Sequence, residues 1–177
     1  TQFFQGLDKQ YIAEGKLGEI TDTYDSQGKV IQSKPVNITH QQLIEVINSF
    51  IGEYDQLPPP YSAKKIQGKR AYQLAKKGIN PELKPVRVKI YNIQILEINL
   101  PYFKIKVDCS SGTYIRSLIK DIGDKLNTGA YMSDLIRTKI GEFKLEDALK
   151  LQDILDKKDF KLIPLKEALY FFEEIQL

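Results

Sequence analysis

The sequence is poor in the residues that most often hold metals or cross-link a chain. A single cysteine, Cys109, in 177 residues excludes an internal disulfide framework and any cysteine-rich zinc site. A single histidine, His40, excludes a two-histidine metal centre and any Cys/His pair drawn from neighbouring motifs. No apolar run approaches the roughly 18 residues that a membrane helix needs. No secretory leader opens the chain, so a cytosolic location is expected. A large excess of one charge is missing too, since 26 Lys and Arg meet 23 Asp and Glu. With 42% hydrophobic and 28% charged residues there is enough apolar material to offset the entropy of ordering, which excludes whole-chain disorder. The first residue is Thr1 rather than Met, which reads as a processed or truncated beginning.

What is present is charge in one place. Between Lys64 and Lys89 stand nine basic residues (Lys64, Lys65, Lys69, Arg70, Lys76, Lys77, Lys84, Arg87, Lys89) against one acid, Glu82. That local +8 leaves −5 for the rest of a chain whose net charge is +3. A concentrated basic segment is the footprint of a polyanion partner, because each neutralised phosphate releases counterions. Tyr61 and Tyr72 are interleaved with it and offer rings for exposed bases. The competing reading is a solvated helix face followed by a basic strand edge.

Periodicity sets the fold class. Lys9 to Gly15 reads as a strand, and Thr21 to Gly28 as a polar turn before a second strand near Val30, with Gly28 supplying positive φ. Thr39 and Gln42 form a capping-box pattern ahead of Leu43, Val46, Ile47, Phe50 and Ile51 at helical spacing, with Gly52 as the stop. Pro58-Pro59-Pro60 is extended, and Ala71 to Lys77 is a short helical pattern. Val86, Val88 and Ile90 alternate in one phase and Tyr91, Ile93 and Ile95 in the other, so this strand is bulged or buried on both faces. Phe103, Ile105, Val107 and Cys109 alternate with Lys104, Lys106 and Asp108, which puts the thiol in the core. A helix follows near Thr113 with Leu118, Ile119, Ile122 and Leu126 as its stripe. Leu135 to Phe143 reads as paired strand, and the chain turns helical from Glu146. The class is α+β, a mixed or antiparallel sheet flanked by helices.

Arg116 is the most informative residue. It falls in the first turn of its helix, where the dipole disfavours a cation by about 0.3–1 kcal/mol. The usual partner four residues on is Lys120, a like charge. An anion must come from elsewhere, a phosphate or a carboxylate of another segment, unless the guanidinium simply faces solvent. Ser110-Ser111-Gly112-Thr113 before it reads either as a phosphate-binding turn or as a helix cap, and its spacing is not that of a Walker loop. His40 falls on an exposed first turn with nothing to make it a base. Asp22 and Asp25 are candidate carboxylates, with turn formation the commoner use of such residues.

The motifs occur in an order that carries a resemblance. Lys9-Gln10-Tyr11 is followed by Thr21-Asp22-Thr23-Tyr24-Asp25-Ser26-Gln27-Gly28 and by Gln56-Leu57-Pro58-Pro59-Pro60-Tyr61-Ser62-Ala63-Lys64-Lys65. Gly68-Lys69-Arg70-Ala71-Tyr72, Cys109 to Leu118 and Leu135-Ile136-Arg137-Thr138 complete the series. Together they resemble the TruB family of tRNA pseudouridine synthases, bacterial type, from Thr1 to about Leu165. The resemblance implies a catalytic domain over 1–159 with a basic thumb-like insertion at about 57–86. It also implies a segment 160–177 approaching an RNA-binding PUA domain. It implies isomerisation of the T-loop uridine at position 55 by base flipping and an aspartate nucleophile, with no cofactor and no metal. A monomer acting on the tRNA T-stem-loop in the cytoplasm is expected. Tyr11 then corresponds to the tyrosine that stacks on the flipped base and Arg116 to the partner of the catalytic aspartate. Tyr114, Leu135 and Lys64 correspond to substrate-binding residues, and Lys65, Lys69, Arg70, Lys76 and Lys77 are the RNA-binding candidates. The family's nucleophile lies in a Gly-x-Leu-Asp-Pro-like run that the 177 residues do not contain. The anion for Arg116 is therefore expected from outside this sequence, and the chain by itself is expected to be inactive. The alternative is a non-catalytic RNA-binding or tRNA-folding module.

Overall fold

A computed structural model describes residues 2–62, 65–66, 69–70, 83–156 and 164. In chain order the elements are α1 (Gln2–Gln5), β1 (Lys9–Leu17), β2 (Glu19–Thr21), β3 (Val30–Ser33), α2 (His40–Asn48) and β4 (Gly52–Gln56). Then come β5 (Lys65–Ile66), β6 (Lys69–Arg70), β7 (Val86–Asn99), β8 (Tyr102–Cys109) and α3 (Ile115–Lys125). β9 (Ala130–Ile140), β10 (Phe143–Lys144), a 3-10 turn (Leu145–Asp147) and α4 (Leu151–Leu155) follow.

Six strands form one sheet in the order β10-β9-β1-β8-β7-β4, and every neighbouring pair is antiparallel. The clean alternation of β8 explains its central place. Phe103, Ile105, Val107 and Cys109 are all at most 1% exposed, while Lys104, Lys106 and Asp108 take the other face. Burial drives the Cys109 thiol up to about 11, so it is a neutral core group. On β7 the phase slip of the apolar residues is a pair of register breaks, between Ile90 and Asn92 and between Ile95 and Glu97. Helix α3 lays Leu118, Ile119 and Ile122, each fully buried, on the core face. It lies close because Gly123 has no side chain: a Cβ there would stand 2.3 Å from the Ala130 nitrogen. Helix α2 starts with the expected reciprocal cap, Thr39 Oγ1 accepting from the Gln42 N–H while Gln42 Oε1 accepts from the Thr39 N–H.

Several sequence expectations are revised. α2 ends at Asn48 with Ser49 as its cap, and Gly52 instead opens β4 at φ +116°. Ser49, Phe50 and Ile51 make tight turns that helical spacing cannot distinguish from a continuing helix. The left-handed residue of the Asp22–Gly28 turn is Tyr24, at φ +63°, not Gly28. Gly28 is required for space, because a Cβ would lie 2.2 Å from Thr23 Oγ1. α3 begins at Ile115 with Tyr114 as N-cap, so Ser110 to Thr113 precede the helix. Past Glu146 the described residues hold the rest of the 3-10 turn and the short α4. The expected helix over 71–77 lies outside the described residues.

Candidate active site

The β2–β3 turn is built by its own polar side chains. Asp22 Oδ1 accepts from the Lys29 N–H at 2.9 Å, and Asp25 Oδ1 accepts from Thr23 Oγ1 at 2.6 Å and the Gln27 N–H at 3.1 Å. Thr21, itself buried, donates its hydroxyl to the Asp25 carbonyl at 2.7 Å. Backbone bonds from Met132 N to Tyr24 O (3.0 Å) and from Ser26 N to Met132 O (2.9 Å) pin the turn onto β9. Tyr24 is held left-handed at a cost of roughly 1–2 kcal/mol.

That turn meets Arg116. Its Nη1 donates to Asp25 Oδ2 at 3.0 Å and to the Thr23 carbonyl at 3.1 Å, and its Nη2 donates to the Tyr61 carbonyl at 2.9 Å. The two charged side chains are 22% and 18% exposed, so the pair is largely withdrawn from water. Among the described residues the expected anion is a carboxylate of another segment of this same chain, Asp25. Asp25 uses one oxygen for its turn and the other for the arginine, so the turn-forming and functional readings both hold. Of the five guanidinium N–H groups, Nε–H and one on Nη2 have no partner among the described residues.

The strap from β4 to Ser62 wraps the start of α3. Buried Gln56 clamps the Tyr114 backbone, donating to its carbonyl at 3.1 Å and accepting from its N–H at 2.8 Å. Ser117 donates to the Leu57 carbonyl at 2.7 Å. The Ser62 hydroxyl is buried with no partner among the described residues. The Ser110 and Thr113 hydroxyls are spent locally, on the Lys89 N–H and the Ser110 carbonyl, which favours a structural turn over a phosphate cradle.

Tyr11 and Leu135 share one face of the sheet. Across β1 and β9, Tyr11 pairs with Arg137 and Ala13 with Leu135, between two register breaks. Ala13 is fully buried in the core that α3 covers, and Tyr11 packs against that core. Leu135 is 38% exposed, so the apolar face is uncovered at this end. Burial pushes the Tyr11 phenol up, while the Arg137 guanidinium, paired opposite it on β9, works in the opposite direction. The result is an arginine with its carboxylate and an open apolar ledge carrying a half-buried tyrosine.

Residues 1–115 match the family model described as the TruB family pseudouridylate synthase N-terminal domain. The chain belongs to the TruB family. Residues 116–170 match the model of the tRNA pseudouridylate synthase B C-terminal domain. A tRNA pseudouridine synthase B from Clostridium tetani is 48% identical over 99% of this chain and 61% of its own length. One from Mycoplasma mobile is 54% identical over 86% of this chain and 54% of its own. This chain therefore spans less than two thirds of these TruB relatives. Among solved structures, a Cbf5-Nop10-Gar1 complex matches with a TM-score of 0.64 at 27% identity, over 99% of this chain and 40% of that one.

For this TruB chain, the sequence-derived candidates fall into two groups. Arg116, Tyr114, Tyr11 and Leu135 are described above, the first two joined through the strap and the last two through β-pairing. Lys64, Lys76, Lys77 and Tyr72 lie outside the described residues, and Lys65, Lys69 and Arg70 are described only as the paired strands β5 and β6. Sequence reasoning passed over Gln56 and Arg137, since neither residue type signals a clamp or a tyrosine partner by itself.

Asp121, one turn beyond Ser117, is the perturbed acid of the neighbourhood. Burial raises its carboxyl to about 6, against the pull of Lys120 and with the help of Asp124. The folded state thus holds a proton more tightly than the unfolded one. Stability is greatest below about pH 4 for this group and is lost as pH rises towards 6. Asp121→Asn is expected to stabilise the fold by roughly 1–2 kcal/mol at pH 7.5 and to flatten that part of the profile. Urea melts from pH 4 to 8 check it.

Proposed function

We propose that this chain is the catalytic domain of a tRNA pseudouridine synthase that isomerises the T-loop uridine at position 55. The observation that carries the reading is Arg116, whose fork is fixed by Asp25 and two carbonyls, in a turn pinned through Met132 to β9, the strand that bears Leu135 and pairs with Tyr11. The likeness to enzymes named tRNA pseudouridine synthase B supports it.

The chemistry breaks the bond from C1′ to N1 and forms one from C1′ to C5; C5 loses a proton and N1 gains one. A uridine reaches such a site only by leaving its stack, at about a few kcal/mol. Tyr11 supplies a neutral ring to stack on the uracil, and its hydroxyl relays the C5 proton, giving up its own proton to solvent as it takes that one. Leu135 and Tyr114 border the nucleoside. The unpartnered Arg116 donors suit the carboxylate of the aspartate nucleophile, which in the family follows Gly-x-Leu. The basic segment at about 57–86, with Lys64 at its start, grips the T-loop phosphates.

The test is tritium release from tRNA labelled at uridine C5, with the protein as its gene encodes it. Release of about one equivalent from native tRNA, and none from tRNA with cytidine at position 55, is expected. Absent release, or release indifferent to position 55, overturns the reading.

A further inference from the structure

Arg116 has a neighbour one helical turn on whose role the proposed reaction does not absorb. Residues four apart on a helix share a face, and Lys120 puts its Nζ 5.6 Å from the centroid of the Tyr24 ring. The same Nζ lies 2.6 Å from Asp124 Oδ2 and 3.7 Å from Asp121 Oδ1. Tyr24 is the left-handed residue of the β2–β3 turn, at φ +63°. The groups on either side of it, the Thr23 carbonyl and the Asp25 carboxylate, are those that converge on Arg116 Nη1. Glycine or asparagine holds such a backbone with less strain, so a tyrosine here is retained for its ring. That ring meets a cation anchored by two carboxylates of α3.

We propose that Tyr24 and Lys120 are positioning residues. Their cation–π contact fastens the β2–β3 turn to α3 at a second point and so fixes the orientation of the Arg116 guanidinium. The turn is pinned to β9 by the Tyr24 and Ser26 backbone bonds to Met132 and meets α3 through Arg116, so the second tie to α3 limits how far the arginine end of the helix shifts against the turn. Its effect on catalysis rests on the function proposed above; its effect on Arg116 does not.

The test compares Lys120→Gln and Tyr24→Asn, which break the contact, with Lys120→Arg and Tyr24→Phe, which keep it. Asparagine preserves the left-handed turn, so Tyr24→Asn removes the ring without imposing backbone strain, and it serves where Lys120→Gln does not fold. Two quantities are measured on the protein as its gene encodes it: kcat and KM for pseudouridine formation, and proton exchange at Arg116 Nε–H by 15N NMR. The breaking variants are expected to lower kcat about tenfold with KM within about twofold, and to speed exchange by a similar factor. The conservative variants restore both. Unchanged kcat in the breaking variants, an equal loss in Lys120→Arg, or unaltered Arg116 exchange overturns the proposal. Should the parent protein form no pseudouridine, the functional reading fails, and exchange alone decides this one: faster supports it, unaltered overturns it.

Discussion

Arg116→Ala is expected to lower kcat for pseudouridine formation by about a thousandfold while weakening tRNA binding by less than about threefold. The asymmetry follows from what the guanidinium touches. Its described contacts are Thr23 O, Asp25 Oδ2 and Tyr61 O, all within the protein, so its loss first undoes the tie between turn and strap. It does leave the Asp25 carboxylate, 18% exposed, without its cation. Removing one partner of a buried pair costs roughly 3–5 kcal/mol, and partial exposure places this pair at the lower end. The β2–β3 turn and the Tyr61 strap lose their common tie. Also lost are the two donors that have no partner among the described residues and that the proposed reaction gives to the nucleophile. Kinetics at a temperature where the variant remains folded separate the catalytic loss from the stability loss. An equal fall in kcat and in affinity would instead place Arg116 on the RNA. Asp25→Asn tests the same tie from the other side. In a double-mutant cycle the two substitutions are expected to be non-additive, with a coupling of about 1–3 kcal/mol.

How much of this was legible in the sequence depends on the range of the interaction. Strands with one buried face announce themselves, as β8 does, because alternation is local and each residue's face follows from its neighbour's. Arg116 was legible as a problem: a cation at a helix start with Lys120 four residues on demands an anion. Its solution was not legible. Asp25 lies 91 residues away and reads as a turn former, which it is, and no local rule reveals that its second oxygen is free. The Tyr24 conformation was hidden for the opposite reason. Propensity assigns positive φ to Gly28, but tertiary bonds from Tyr24 and Ser26 to Met132 hold the strain at Tyr24 and leave Gly28 to solve a packing problem. Gln56 shows the same limit, since a glutamine used as a backbone clamp has no pattern of its own. Tyr11 and Leu135 came from resemblance alone; their common face is a consequence of the β1–β9 register.

Reversing Lys69, Arg70, Lys76 and Lys77 to glutamate is expected to weaken tRNA binding by about a thousandfold near 0.1 M salt. The slope of log K against log salt should flatten by roughly 3–4, since each phosphate contact contributes about 0.9 on duplex RNA by analogy with B-DNA. Two arguments favour RNA contact over a solvated face. The first is density: a local +8 in a chain whose remainder carries −5 is electrostatically costly unless something neutralises it. The second is register. β5 and β6 pair Lys65 directly with Arg70, a like-charge pair across an antiparallel ladder of only two residues on each side. Like charges directly opposite each other disfavour a ladder, and two-residue strands are short for one. A polyanion lying along the hairpin converts that repulsion into attraction, so binding and hairpin formation reinforce each other. RNA should therefore protect the Lys65–Arg70 amides from hydrogen exchange, and the quadruple variant should show neither the protection nor the steep salt dependence. A slope that stays unchanged would return these lysines to solvent and leave recognition to the sheet face.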